Sequence, residues 1–153
     1  MNKISLFILA AVFSFTFFSA NVQAEAKLTP EEKTFIKTIT KDFINTHSLN
    51  LNDYSLFDIR ELHMNKENLQ AKEKSLLNIS TEIIKNQSFV DCSPIFYIDK
   101  SRSNGFVLEK KLSGMNNLYI LSYNESNNNW IVTNKNNRMG TDLVDLGLLK
   151  GND

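Results

Sequence analysis

The stretch "IFYIDKSRSNGFVLEKKL", residues 95–112, decides the fold class of this chain. Both of its ends are rich in Ile, Phe, Val and Leu, and Ser103-Asn104-Gly105 between them carries the Asn-Gly pair typical of a tight turn. We therefore predict strands at Ile95–Ile98 and Phe106–Leu112. Polar and apolar residues alternate through the second strand, so we expect one of its faces to be exposed to water.

Two more strands follow in the sequence. Leu118–Tyr123 and Trp130–Thr133 are short runs of strand-forming residues, and Glu125–Asn129 between them is a polar, Asn-rich turn. Consecutive strands joined by short turns form an antiparallel meander. The second half of the chain therefore predicts a sheet of about four strands.

The chain before these strands is helical in pattern. Thr29-Pro30-Glu31-Glu32 is a capping box with proline at the first helical position, and it predicts a helix from Pro30 to about Thr46. A second helix is predicted over Lys66–Lys85, and Leu49–His63 fits either a short helix or irregular chain. The predicted fold class is α+β, with N-terminal helices packed on one face of a curved antiparallel sheet.

The N-terminus has the three parts of a secretory signal peptide. Lys3 supplies a positive charge, Ile4–Ala20 is apolar and uncharged, and Val22-Gln23-Ala24 resembles a cleavage site. We predict a signal peptide over residues 1–24, and a single α+β domain of 129 residues over 25–153. No cysteine near Ala24 offers a lipid attachment point, so we expect a periplasmic protein without a stable membrane anchor. Full secretion and a retained N-terminal anchor are the alternatives.

Charge and cysteine content limit the partners. The chain has 17 basic and 17 acidic residues, and loss of Lys3 with the signal peptide would leave a net charge of −1. A nearly neutral domain argues against nucleic acid or an anionic membrane as partner. One cysteine cannot form a disulfide within the chain, so an apolar core must stabilise the fold.

Cys92 is the only cysteine in the chain and therefore the only candidate for a thiol nucleophile. A catalytic cysteine needs a base, and His47 and His63 are the only imidazoles in the chain. Pro94 and a strand follow Cys92, whereas a helix N-terminus would help to stabilise a thiolate. We interpret Cys92 as a small buried residue, the alternative being an exposed thiol that pairs between molecules.

Other catalytic and metal-binding patterns are weak. Glu61, His63 and Glu67 lack further ligands for a metal, and no phosphate-binding loop or nucleophile motif is present in the sequence. Asp91 and Asp99 flank one predicted strand, and a carboxylate pair for glycoside hydrolysis stays open. We name no catalytic residue, no metal ligand and no cofactor.

Four aromatic side chains of the predicted strands are the candidate binding residues. They are Tyr97, Tyr119, Tyr123 and Trp130. Tyr and Trp combine a large apolar surface with a polar group, which suits them to binding sites. The alternative is that all four pack in the core or lie half-buried in the sheet.

The order of these elements resembles that of a known family. Two helices are followed by "DCSPIFYID", residues 91–99, and by strands that end on "NNNWIVTNK", residues 127–135. This order resembles the nuclear-transport-factor-two-like fold, especially its small exported bacterial members of unknown function. The resemblance implies a conical scaffold with a concavity between sheet and helices, and this family includes enzymes, carriers and protein-binding modules.

Two functions fit these observations. The first is a small periplasmic protein-binding module, an immunity or inhibitor protein that blocks another periplasmic or secreted protein, with Asn, Ser and Tyr giving adaptable contacts. The alternative is a small-ligand-binding protein or enzyme that uses a pocket between sheet and helices. The sequence leaves the oligomeric state open.

Overall fold

The computed structural model describes residues 28–89 and 91–148. The predicted signal peptide over residues 1–24 lies outside this part of the chain. The helices are α1 (Pro30–His47), α2 (Arg60–Met64) and α3 (Ala71–Lys85), with a 3-10 turn at Lys66–Asn68. The strands are β1 (Tyr54–Phe57), β2 (Ile95–Asp99), β3 (Asn104–Lys110), β4 (Met115–Asn124) and β5 (Asn129–Met139).

The strands form one antiparallel sheet in the order β1-β2-β3-β4-β5. The predicted α+β class is confirmed, but the sheet has five strands where about four were expected. The additional strand is β1, whose Tyr54 pairs with Asp99 and whose Phe57 pairs with Phe96. Because β1 has only four residues, its sequence is too short to predict a strand. Its conformation is set by pairing with the neighbouring β2.

The helices cover both faces of the sheet. Ile39 and Phe43 of α1 belong to a core cluster with Ile95, whereas Leu76 of α3 belongs to a second cluster with Phe96. Successive side chains of a strand point to opposite faces, so these clusters lie on opposite sides of the sheet. The prediction that the helices share one face is wrong in this respect. We call the two sides the α1 face and the α3 face.

The prediction that one face of β3 is exposed to water is also wrong. Val107 and Leu108 are fully buried. The charged side chains of Glu109 and Lys110 are buried as well. Helices on both faces cover the apolar residues. Buried hydrogen bonds hold the charged ones, as described below, so alternation of polarity in β3 does not signal exposure.

Helix α1 begins as its sequence predicts. The Oγ1 of Thr29 accepts a hydrogen bond from the backbone N–H of Glu32 at 3.1 Å, and the Glu32 carboxylate accepts one from Thr29 N–H at 2.7 Å. The helix ends before Ser48, which has a left-handed φ of 56°. Arg60 donates to Glu32 at 3.0 Å, and this contact joins α1 to α2.

The second predicted helix starts later than Lys66. Leu69 takes an extended conformation and is buried, which separates the 3-10 turn from α3. Gln70 then forms a capping box with Glu73. The region predicted as either a short helix or irregular chain contains β1 and the short helix α2.

Candidate functional site

The structure divides the four aromatic candidates between the two faces. Tyr119, Tyr123 and Trp130 belong to the core cluster of the α3 face, whereas Tyr97 packs with the cluster of the α1 face. Tyr97 donates to or accepts from the hydroxyl of Thr40 at 3.0 Å. The four residues therefore do not form one binding site.

Tyr123 and Trp130 form a packed cross-strand pair. Tyr123 in β4 lies directly opposite Trp130 in β5, and the centroids of their rings are 5.7 Å apart. The Nζ of Lys72 lies 3.7 Å from the Tyr123 centroid and 5.6 Å from that of Trp130, within cation–π range. Since Trp130 is buried, these contacts fix α3 against the sheet.

Tyr119 belongs to a polar cluster around the buried carboxylate of Glu109. The Tyr119 hydroxyl donates to Glu109 at 2.7 Å, Asn117 Nδ2 donates at 2.8 Å, and Lys111 forms an ion pair with it at 2.7 Å. Burial would raise the pKa of Glu109, but hydrogen bonds from these three groups lower it overall. Burial and the adjacent carboxylate raise the pKa of Tyr119. The cluster holds an ionised carboxylate among donors, which stabilises structure and does not favour proton transfer.

A second buried charge lies on the α1 face. Lys110 Nζ donates to Asp42 at 2.7 Å, to Asn116 Oδ1 at 2.8 Å and to the carbonyl oxygen of Gly114 at 3.0 Å. Burial would raise the pKa of Asp42, but hydrogen bonds from Lys110, Asn116 and the Thr141 backbone lower it overall. This ion pair joins α1 to the β3–β4 hairpin and to the chain after β5.

Cys92 is free and buried, which confirms its interpretation as a small buried residue. It packs in the cluster of the α1 face, and burial raises its pKa to about 12, although Lys110 partly lowers it. His47 Nε2 lies 3.3 Å from the carbonyl oxygen of Asn116, and its ring stacks on Phe43. The thiol at Cys92 therefore favours the protonated form, which is not the nucleophile.

The carboxylates considered for glycoside hydrolysis are engaged in separate loops. Asp91 accepts hydrogen bonds from Lys111 Nζ at 3.0 Å and from the backbone of Ser88 and Leu112, whereas Asp99 accepts from Ser103 N–H and from other groups of its own turn. Burial would raise the pKa of both carboxyl groups, but their hydrogen bonds lower it overall. The pKa of Asp91 is lowered, and that of Asp99 is lowered to about 2. A general acid needs a raised pKa, so this pair does not fit the hypothesis. Within the described ranges, no group of three or more acidic, His or Cys side chains is placed to hold a metal.

Strand β5 is the most exposed element of the sheet. All nine residues of 131–139 are exposed, whereas the neighbouring β4 has buried or partly buried residues throughout. β5 lies at an edge of the sheet, so one side of its backbone has no neighbouring strand among the described residues. An exposed edge of this length can pair with an added strand.

Two hydrogen bonds identify which N–H groups of β5 face outward. The N–H of Trp130 donates to Ser75 Oγ at 2.8 Å, and that of Lys135 donates to Asn134 Oδ1 at 2.8 Å. Pairing with β4 is regular from Asn134 to Met139, and alternate residues direct their N–H groups to opposite sides. The N–H groups of Asn137 and Met139 therefore share the outer side with that of Lys135.

A groove opens on the opposite edge of the α1 face. It lies between α1 and strands β1 and β2, has a volume of about 420 Å³, and is lined by Lys33, Ile36, Lys37, Thr40, Lys41, Ile44, Leu56 and Tyr97. Of these residues, Tyr97 was predicted from the sequence as a binding residue, and neither the lysines nor β5 were predicted to take part in a site. The recurrence of lysine at every fourth position of a predicted amphipathic helix was the available signal for the groove.

None of the helices within residues 28–89 and 91–148 has both the length and the apolar composition needed to cross a membrane.

Comparisons with protein-family models, curated proteins and solved structures find no match to the chain. The resemblance to the nuclear-transport-factor-two-like fold stays a prediction.

Proposed function

We propose that this chain is a periplasmic protein-binding module, exported by its N-terminal segment, that acts as an immunity or inhibitor protein. Its partner adds an extended segment to the free edge of β5. The observation that carries the proposal is the run of nine exposed residues at 131–139 on an edge strand. Strand addition provides main-chain hydrogen bonds for affinity and side-chain contacts for specificity.

Charge on β5 indicates the chemistry of the partner segment. Lys135 and Arg138 are exposed, and the strand has no acidic residue. Pairing of two copies of β5 would bring their four basic side chains onto adjacent strands without any acidic side chain, and like charges on adjacent strands repel. An acidic extended segment of another protein is therefore the better partner.

Apolar side chains give β5 a second kind of contact. Ile131, Val132 and Met139 are exposed large hydrophobic residues, at 40%, 43% and 64% of their accessible surface. They lie at the two ends of the run that carries the basic residues. A partner segment with apolar ends and an acidic centre would match this order.

The test is capture of the partner by variants of β5. The protein is expressed from its full sequence with a C-terminal tag, recovered from the periplasm, and used to capture partners from extract of its own organism. Asn137→Pro removes an outward N–H, and edge strands tolerate proline on that side. We expect Asn137→Pro to weaken binding of the captured protein at least tenfold, because a proline cannot donate to the added strand.

Asn137→Ala is the matched control, since it removes the same side chain and keeps the N–H. It is expected to bind like the wild type, while Lys135→Glu weakens binding of an acidic segment. Equal capture by the proline and alanine variants would contradict strand addition at β5. The mass of the recovered protein tests export separately, because cleavage after Ala24 leaves residues 25–153.

A further inference from the structure

The groove on the α1 face combines an apolar floor with a basic wall. Ile36 and Ile44 of α1 face Leu56 of β1 and Tyr97 of β2, and the hydroxyls of Tyr97 and Thr40 are joined at 3.0 Å. Ile44 and Leu56 are exposed large hydrophobic residues. The groove therefore exposes apolar surface that a ligand would remove from water.

The basic wall consists of Lys33, Lys37 and Lys41. They recur at every fourth position of α1 and are all exposed, so they lie in one row along the groove. None of the three forms an ion pair with a described residue, and no acidic side chain lines the groove. Like charges at this spacing repel one another, and an anion in the groove would relieve the repulsion.

The volume of the groove distinguishes a small extended ligand from a helix of a partner protein. From Lys33 to Ile44 the helix rises about 16 Å, and a partner helix of that length with its side chains would occupy on the order of 1,000 Å³. The groove offers about 420 Å³, which is within the usual range for small-molecule sites. An extended aliphatic chain fits entirely within this space, whereas a helix of that length would leave most of its volume outside the groove.

We propose that this groove binds the free anion of a fatty acid. The acyl chain lies on Ile36, Leu56 and Tyr97, and the carboxylate lies against the lysine row. The site is on the opposite edge of the sheet from β5, so it does not depend on the protein-binding function proposed above.

Titration of the isotopically labelled protein with octanoate, decanoate and dodecanoate, below their micelle concentrations, tests this site by nuclear magnetic resonance. We expect chemical-shift changes at Thr40, Leu56 and Tyr97. A fully buried methylene would tighten binding about fourfold, so the partly open groove should give a several-fold gain for each step in chain length. Dodecyltrimethylammonium, with the same chain and the opposite charge, should bind at least tenfold more weakly than dodecanoate.

Substitutions in the groove test whether binding depends on the lysine row itself or only on the overall charge of the protein. Combined Lys33→Gln, Lys37→Gln and Lys41→Gln should weaken dodecanoate binding at least tenfold, and Leu56→Glu should do so by placing a negative charge in the floor.

The matched control removes the same charge elsewhere, by glutamine at the exposed residues Lys66, Lys74 and Lys100, and should bind like the wild type. The proposal is overturned if dodecanoate leaves the groove signals unchanged, if it binds no better than dodecyltrimethylammonium, or if the groove and control variants bind equally.

Discussion

Replacing Asp42 by alanine is expected to lower the free energy of unfolding by about 3–5 kcal/mol, because it leaves the buried charge of Lys110 unpaired. The Lys110 side chain is 0% exposed and that of Asp42 is 5% exposed. Asn116 and the Gly114 carbonyl still accept hydrogen bonds from Lys110, but neither neutralises its charge. Denaturant unfolding followed by circular dichroism measures the loss.

Two controls make this result specific. Asp42→Leu combined with Lys110→Met removes both charges and should recover most of the lost stability, since apolar residues can replace a buried ion pair. Asp53→Ala breaks the exposed contact with Lys100, at 3.8 Å, and should change stability by less than about 0.5 kcal/mol. A loss below about 1 kcal/mol for Asp42→Ala would contradict the buried ion pair.

Phe96→Ala should cost about 3–5 kcal/mol of unfolding free energy, the usual range for a buried phenylalanine. Phe96 lies in β2, is 1% exposed, and packs with Leu76 and Ile83 of α3 on the α3 face. Its truncation leaves a cavity between the sheet and the helix. The same denaturant experiment measures this change.

Phe89→Ala is the matched control, because it removes the same side chain from a position that is 82% exposed. It should change stability by less than about 0.5 kcal/mol. Similar effects at the two positions would mean that α3 does not cover Phe96, and the assignment of helices to both faces would be wrong.

Local signals were sufficient for part of the fold. The capping box at Thr29 defines the start of α1 because both of its hydrogen bonds form within one turn. The polar residues between β2 and β3 correctly indicated a hairpin, but the predicted turn at Asn104-Gly105 is wrong, because both residues lie in β3 and the turn is formed by residues 100–103, with Arg102 at a φ of 56°. Short-range chemistry of this kind can be read from one stretch of sequence.

Burial on both faces could not be predicted in this way. Glu109 and Lys110 look like residues of an exposed strand, and their partners Tyr119 and Asp42 are distant in the sequence or lie on another element. Strand β1 was missed because it is short and is defined by pairing with β2 across about forty residues. Long-range pairing decided both features.

The candidate site was predicted less well than the fold. The aromatic residues were chosen for their chemistry, yet Trp130 is buried by α3 and only Tyr97 lines the groove. The exposure of β5 follows from its position at the edge of the sheet. Strand order is a property of the whole sheet, so residues 131–139 gave no local indication of it.

The most direct test of the proposed function is amide hydrogen exchange of β5 in the free protein and in the complex with the captured partner. The outward N–H groups of Asn137 and Met139 should exchange rapidly in the free protein and at least tenfold more slowly in the complex. Such protection would place the partner on the free edge of β5. Unchanged exchange at these two amides, with protection on another surface, would contradict strand addition at β5.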